Sequence, residues 1–375
     1  MKSVNNMKNK RVNTLLNKIK LSINKIAKYE PGESENESID GIKLSSNESP
    51  FLIPQTIKKK MQLNLNKLNL YPDGDCLILK KAISNRYKIN FNQIICGNGS
   101  DDILSLIGLA FSRENCEIIC NKYGFLYYPI IAHAVGAKVV FSNKNSLIVD
   151  ESDILKKVSK KTNIIFLANP NNPTGLIVEK KRLVRMLKKI PPHVIVVIDG
   201  AYAEYVKEKG FSDGLELVKS FPNVVVTRTF SKIYAMAGLR LGWAYSSKEV
   251  ISTLEKIRGP FNVNTIAQIA GAEMLKDENF LRKSIKHNEK WKSWLKNEIN
   301  LLGFETQHSF ANFILVKCNL KKFTAKSLVS CLKKRKIFIR HMQSYGLKNY
   351  FRISVGKGSE LKKLILSLKE IVKNE

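Results

Sequence analysis

Cysteine is scarce in this chain, six in 375 residues, and none stands in a paired C-x-x-C spacing, so neither a disulfide scaffold nor a zinc site is indicated and no metal is expected. Acids are scarce too: 32 Asp and Glu face 63 Lys and Arg, a formal charge of +31. Such a surplus invites a nucleic-acid reading, because clustered cations gain affinity by releasing phosphate counterions. Here the cations are mostly dispersed lysines amid abundant Asn and Ile, which reads as a bias of composition. No nucleic-acid partner is expected, and the positive field favours small anionic, phosphorylated molecules instead. No apolar run approaches a membrane span, and there is no internal repeat or low-complexity linker. With 44% hydrophobic residues, the chain is expected to be a soluble cytoplasmic enzyme of more than one domain.

The first 30 residues hold eight Lys and Arg and one acid, Glu30, while Leu15, Ile19, Ile23 and Ile26 recur at helical spacing. A transit peptide shows the same features, but no apolar signal core follows, so a basic amphipathic arm over residues 1–48 is expected to fold back on the enzyme or its neighbour. From Gln93 to Ser246 short apolar runs alternate with helical patterns: 94–96, 117–120, 138–141, 163–168, 194–198, 224–227 and 241–245. Consecutive Ile and Val in these runs predict an α/β domain, residues 49–262, with a mostly parallel seven-stranded sheet between helices and functional loops at the strands' carboxyl ends. A long helical region to about Leu302 then leads to strands at 313–316, 337–340 and 350–354 and helices at 325–334 and 360–372, a small α+β domain within residues 263–375.

Several strand ends carry chemistry. The run 194–198 ends in Asp199, with Tyr202 three residues later. A carboxylate there must be paired or neutralise, and a protonated pyridine nitrogen is a fitting partner; capping the next helix is the plain alternative. Thr229-Phe230-Ser231-Lys232 ends the run 224–227 with a lysine, and Arg240 follows eight residues on. That spacing to Asp199 and Tyr202 is the one a pyridoxal-phosphate enzyme needs. Asn169-Pro-Asn-Asn172-Pro-Thr-Gly175 is a stiff turn that aims the Asn172 amide, a donor suited to a phenolate oxygen. Gly97-Asn-Gly99-Ser100-Asp101 joins strand to helix, and its amides can approach an anion at the helix start; it lacks the last glycine of the dinucleotide fingerprint and the Gly-Lys-Ser/Thr of a P-loop. Ser100, Thr229, Ser231 and Arg240 together can neutralise one phosphate. Tyr123 can stack on a ring or simply pack in the core. Arg352, between apolar neighbours, suggests an anion across the cleft, with an exposed strand arginine as the alternative.

These elements in this order resemble the fold type I pyridoxal-phosphate aminotransferases, from about Lys25 to the end. Lys28-Tyr-Glu-Pro-Gly-Glu-Ser, Leu44-Ser-Ser-Asn47-Glu-Ser-Pro and Leu70-Tyr71-Pro-Asp are most similar to the histidinol-phosphate aminotransferases within that group. The resemblance implies pyridoxal 5'-phosphate bonded to Lys232, Asp199 on the pyridine nitrogen, Asn172 and Tyr202 on the phenolic oxygen, and Tyr123 stacked on the ring. Gly99, Ser100, Asp101, Thr229, Ser231 and Arg240 would surround the cofactor phosphate. Tyr71 would reach it from the other subunit of a homodimer. Asn47, Asn172, Arg340 and Arg352 would bind substrate, a phosphorylated amine or glutamate and 2-oxoglutarate. An aromatic aminotransferase or a threonine-phosphate decarboxylase is the alternative on the same scaffold, and a basic nucleic-acid-binding protein that has lost catalysis is the rival of another class. The chain departs from the family pattern at Leu70, where Arg is usual, at Gly200, where an acid is usual, and at Ser49, where Asn is usual.

Overall fold

A computed structural model describes residues 21–29, 32, 41–143 and 146–373. Leu15 and Ile19, two of the four apolar residues that mark the expected amphipathic arm, lie outside the described residues. Residues 21–29 hold one short 3-10 turn, Ile23–Lys25, with Leu21 and Ile23 exposed.

The chain's strands in order are β1 (Ile42–Lys43), β2 (Ile94–Gly97), β3 (Glu117–Asn121), β4 (Lys138–Ser142), β5 (Thr162–Ala168), β6 (Ile195–Asp199), β7 (Val224–Thr229), β8 (Gly242–Tyr245), β9 (Glu305–Thr306), β10 (Phe313–Lys317), β11 (Ile337–Phe338), β12 (Arg340–His341) and β13 (Tyr350–Ser354). Seven of them form one sheet in the order β2-β8-β7-β6-β5-β3-β4. Only β8 runs against its neighbours β2 and β7, and the other pairs are parallel. Every residue of β2, β6, β7 and β8 is buried, as expected of strands covered on both faces, where the apolar run replaces the alternation of a half-exposed sheet. One core packs Ile165, Leu167, Val196, Ile198, Val224 and Val226 on one side of the sheet. A second packs Ile164, Phe166, Ile195, Val197 and Val225 on the other.

A third core lies around the small antiparallel sheet β12-β13-β10-β9 and the helices Ala325–Lys334 and Gly358–Lys373. Two expectations need correction here. The run 337–340 is not one strand: β11 pairs parallel with β1, whereas β12 turns to pair with β13, because the chain changes sheets at Ile339. The long helical region is two helices, Thr265–Met274 and Glu278–Leu301, and the Asp277 side chain accepts from the Phe280 amide to start the second. The first of these helices packs into the large sheet's core through Ala267, Ala270 and Met274. Among the described residues no helix is long and apolar enough to cross a membrane.

Candidate active site

The carboxyl ends of β5, β6 and β7 open on one cavity of about 290 Å³, close to the lower end of small-molecule sites. Asp199 is the last residue of β6 and is buried. Its Oδ2 accepts from the Tyr128 hydroxyl at 2.7 Å and its Oδ1 from Thr227 Oγ1 at 3.1 Å. Thr227 stands opposite Asp199 in the β6/β7 register, which accounts for that contact. Burial raises the carboxyl's pKa, and the two hydroxyl bonds pull it back in part.

Lys232 follows the end of β7. Its Nζ donates to the Ser46 carbonyl at 3.2 Å and lies 5.9 Å from the Tyr202 ring centre. Burial, then the charge of Arg352, lowers its pKa to about 8. The Tyr202 hydroxyl accepts from Asn47 Nδ2 at 3.0 Å, and burial pushes its pKa up to about 12, so it stays protonated with its own hydrogen to give. Asn47 is held in a left-handed conformation, φ 55°, by the Ser354 hydroxyl and by Asn312, which donates to its carbonyl at 3.0 Å.

At the other end of the cavity β2 turns through Gly99 into the helix Ser100–Phe111. Gly99 has φ +88°, and a Cβ there would come within 2.5 Å of Arg240 Nη2. Arg240 Nη2 pairs with Asp101 at 3.2 Å, and its Nη1 donates to Ser231 Oγ at 3.3 Å. Thr229 Oγ1 accepts from the Ser231 amide at 3.1 Å. A helix start, two hydroxyls and a guanidinium therefore converge where a phosphate would be held.

The third wall comes from the small sheet. Arg352 donates to Asn172 Oδ1, to the Ser45 carbonyl at 2.9 Å, and lies 5.2 Å from the Phe313 ring centre. Asn172 belongs to the turn after β5, which is pinned at Gly175 by Phe310, whose amide donates to the Gly175 carbonyl at 2.8 Å. Arg340 on β12 stands directly opposite Arg352 on β13, and both are buried. Like charges directly opposite each other across a sheet repel, and an anion in the cavity is attracted to both.

Most of the residues singled out in the sequence thus line one cavity; Gly99 stands just behind the lining against Arg240, and Tyr123 and Tyr71 lie away from it. Tyr123 lies off the cavity, against Gly346 and in a cluster with Met342, Tyr345 and Leu347; Phe125, two residues on, lines it instead. The turn at the end of β3 carries Tyr123 past the cavity before the chain enters the helix Tyr127–Ala134. Tyr71 is 82% exposed and stacks on Phe261, ring centres 4.6 Å apart, away from the cavity of its own chain. Sequence reasoning missed Tyr128, Thr227 and Phe125. Thr227 had a signal, a hydroxyl residue closing a valine run beside the Asp199 strand, whereas Tyr128 had none.

Lys232, an amine held partly neutral, and a buried carboxyl with capacity for a cationic partner fit a pyridoxal phosphate whose phosphate end meets Ser100, Ser231 and Arg240. The sequence profile of the aminotransferase class I and II family matches residues 39–368. The histidinol-phosphate aminotransferase of Pelagibacter ubique is 41% identical over 349 residues, 92% of this chain and 97% of that protein. That of Maricaulis maris is 38% identical over 350 residues, 93% and 97% of the two chains. Among solved structures, histidinol-phosphate aminotransferase from Sinorhizobium meliloti in complex with pyridoxal-5'-phosphate superposes with a TM-score of 0.86 at 23% identity, covering 95% of this chain and 98% of that one.

Proposed function

Since this chain belongs to the histidinol-phosphate aminotransferases of the class I and II family, and is therefore a pyridoxal-phosphate-dependent aminotransferase, we propose that it moves the amino group from L-glutamate to imidazole-acetol phosphate, giving histidinol phosphate and 2-oxoglutarate in histidine biosynthesis. The observation that carries the substrate assignment is the pair Arg340 and Arg352, two buried guanidiniums opposed across β12 and β13 beside the cavity that holds Lys232. A phosphate on one substrate and a carboxylate on the other both satisfy that pair.

When bound, the cofactor supplies an aldehyde that takes up the amino group and a cationic ring that draws off the electrons of the broken C–H bond. In our reading Asp199 would face the ring nitrogen, its carboxylate oriented by Tyr128 and Thr227. Tyr202, its hydroxyl oriented by Asn47, and Asn172, through the amide nitrogen that Arg352 leaves free, would hold the phenolic oxygen. Phe125 takes the stacking place first given to Tyr123. Lys232 would move the proton at the substrate carbon, a task suited to an amine whose pKa burial lowers to about 8.

We further read the enzyme as a cytoplasmic homodimer that binds no nucleic acid and no membrane, with the large domain at 49–262 and the linking helix and small domain at 263–375. Tyr71, Leu70, Leu68 and Leu63 form an exposed apolar stretch that supports a second copy as partner, and Tyr71 would then reach the other subunit's cofactor phosphate. The six unpaired cysteines fit a reducing compartment. The test is a panel of amino donors with 2-oxoglutarate, read as glutamate formed. Histidinol phosphate should outpace phenylalanine and aspartate. Preference for phenylalanine would favour an aromatic aminotransferase, and carbon dioxide release from threonine phosphate without keto acid would favour the decarboxylase.

A further inference from the structure

Side chains alternate along β7, so Thr227 and Thr229 face the cavity side while Arg228 faces the other way. Arg228 is 1% exposed, among the most buried large side chains of the protein. A guanidinium in such a place is costly unless it is fully paired. Its Nη2 donates to the Asp213 carbonyl at 2.9 Å and meets the Asp213 carboxylate at 3.0 Å, its Nε lies 3.5 Å from Glu204, and its Nη1 lies 3.5 Å from the Gly200 carbonyl. Glu204 accepts from the Tyr87 hydroxyl at 3.0 Å, and Tyr87 shares a hydrogen bond of 2.9 Å with Tyr234, two residues beyond Lys232.

These contacts tie together the two segments that carry the chemistry. Asp199 ends β6, and the residues after it, Gly200 to Tyr205, form the turn that carries Tyr202; Arg228 holds this turn from behind through the Gly200 carbonyl and the turn's own Glu204. Tyr234 joins the same network from the Lys232 segment. A Cβ at Gly200 would lie 1.5 Å from Arg228 Nη1. Any side chain at 200 and the guanidinium of Arg228 compete for one space.

We propose that Arg228 is a positioning residue of the reaction: packed behind the Gly200–Tyr205 turn in the place of a side chain at 200, it sets where the Asp199 carboxylate and the Tyr202 hydroxyl stand relative to Lys232. The proposal rests on the cavity being the cofactor site. It does not touch the cavity and contacts neither Arg340 nor Arg352, so its effect falls on the ring end of the site and not on the substrate's anion.

Wild-type holoenzyme treated with L-glutamate alone should pass to the amine form of the cofactor by absorbance, and failure there would sink the aminotransferase reading itself. Given that result, Arg228→Lys and Gly200→Ala are measured singly and together. Each should lower kcat by about 10- to 100-fold, the scale of a small misplacement of catalytic groups, with KM for glutamate unchanged. The double variant should be no worse than the poorer single one, because both remove the same contact. Crystals of the cofactor-free Gly200→Ala protein should show Asp199 and Tyr202 shifted against Lys232, with Arg352 in place. An unshifted turn, an unchanged kcat, or losses that multiply in the double variant would overturn the proposal. Gly200→Ala carries the test by itself should Arg228→Lys not fold.

Discussion

Replacing Lys232 by methionine in the cofactor-free protein removes a charge from a place that disfavours it while keeping most of the side chain's volume. In the fold the amine titrates near 8 instead of 10.5, because it is buried and faces Arg352. Unfolded, it titrates as an ordinary lysine. Between those values the unfolded chain binds more protons, so this group makes stability rise with pH across that window, and its full cost is felt below about pH 8. At pH 7 that cost is about 3 kcal/mol, and at pH 10 it is under about 1 kcal/mol. The bond to the Ser46 carbonyl returns about 1 kcal/mol to the wild type, so the net gain of the variant at pH 7 is about 2 kcal/mol. A chain of 375 residues has an unfolding entropy near ~0.8 kcal/mol/K, which converts the gain to a Tm rise of ~3 °C. Lys292, also drawn down to about 8 by burial, is present in both proteins and cancels in the comparison. Calorimetry of both cofactor-free proteins at pH 7 and pH 10 is the assay. A variant less stable than wild type at pH 7, or a difference that does not shrink by pH 10, would refute the reasoning.

Arg340→Gln should lower kcat/KM for histidinol phosphate about 10- to 100-fold, the worth of one charged hydrogen-bonding partner, while leaving that for unphosphorylated histidinol nearly unchanged. Equal losses on both substrates would remove Arg340 from the phosphate. Tyr128→Phe deletes a bond that holds the Asp199 pKa down, so the acid limb of the kcat/KM profile should move to higher pH. A limb that stays in place or moves to lower pH counts against Asp199 as the group that must be ionised. Gly175→Ala meets Ser309 Oγ at 2.2 Å from a backbone at φ +75°, so it should cost about 1–3 kcal/mol in denaturant unfolding and lower kcat through the Asn172 turn. Unchanged stability would show that the turn accommodates a side chain without moving Ser309.

The large sheet was legible because its strands are buried on both faces: Val194 to Ile198 and Val224 to Val226 are unbroken apolar runs, and each polar residue that ends one is conspicuous. Asp199, Lys232 and the Asn172 turn could be read for that reason. Register and side-chain direction were not legible. That Arg340 faces Arg352 depends on how β12 pairs with β13, and the pattern of residues 337–340 suggested one strand where the chain makes two. Tyr128 enters the site from a helix, and its role depends on a tertiary contact that no local pattern encodes. The exchange of Tyr123 for Phe125 has a similar origin: several aromatic residues within six positions each satisfy the composition argument, and only the path of the chain selects among them.

Charge shows the same division between what composition reveals and what burial decides. Most of the surplus cations are solvated, screened, and worth little individually. Among the described residues, Arg228, Arg340 and Arg352 are buried and Lys232 half-buried near one turn and one sheet edge. Of these, Arg228 has Glu204 and Asp213 close by. Lys232 and Arg352 are bonded to carbonyl and amide oxygens and not directly to a carboxylate. Asp199 is the converse, a carboxyl whose neighbours are hydroxyls. A protein that keeps such opposite groups around one cavity gives up stability that an anionic, ring-cationic ligand restores, and cofactor binding should therefore raise Tm more than its contact area alone would predict.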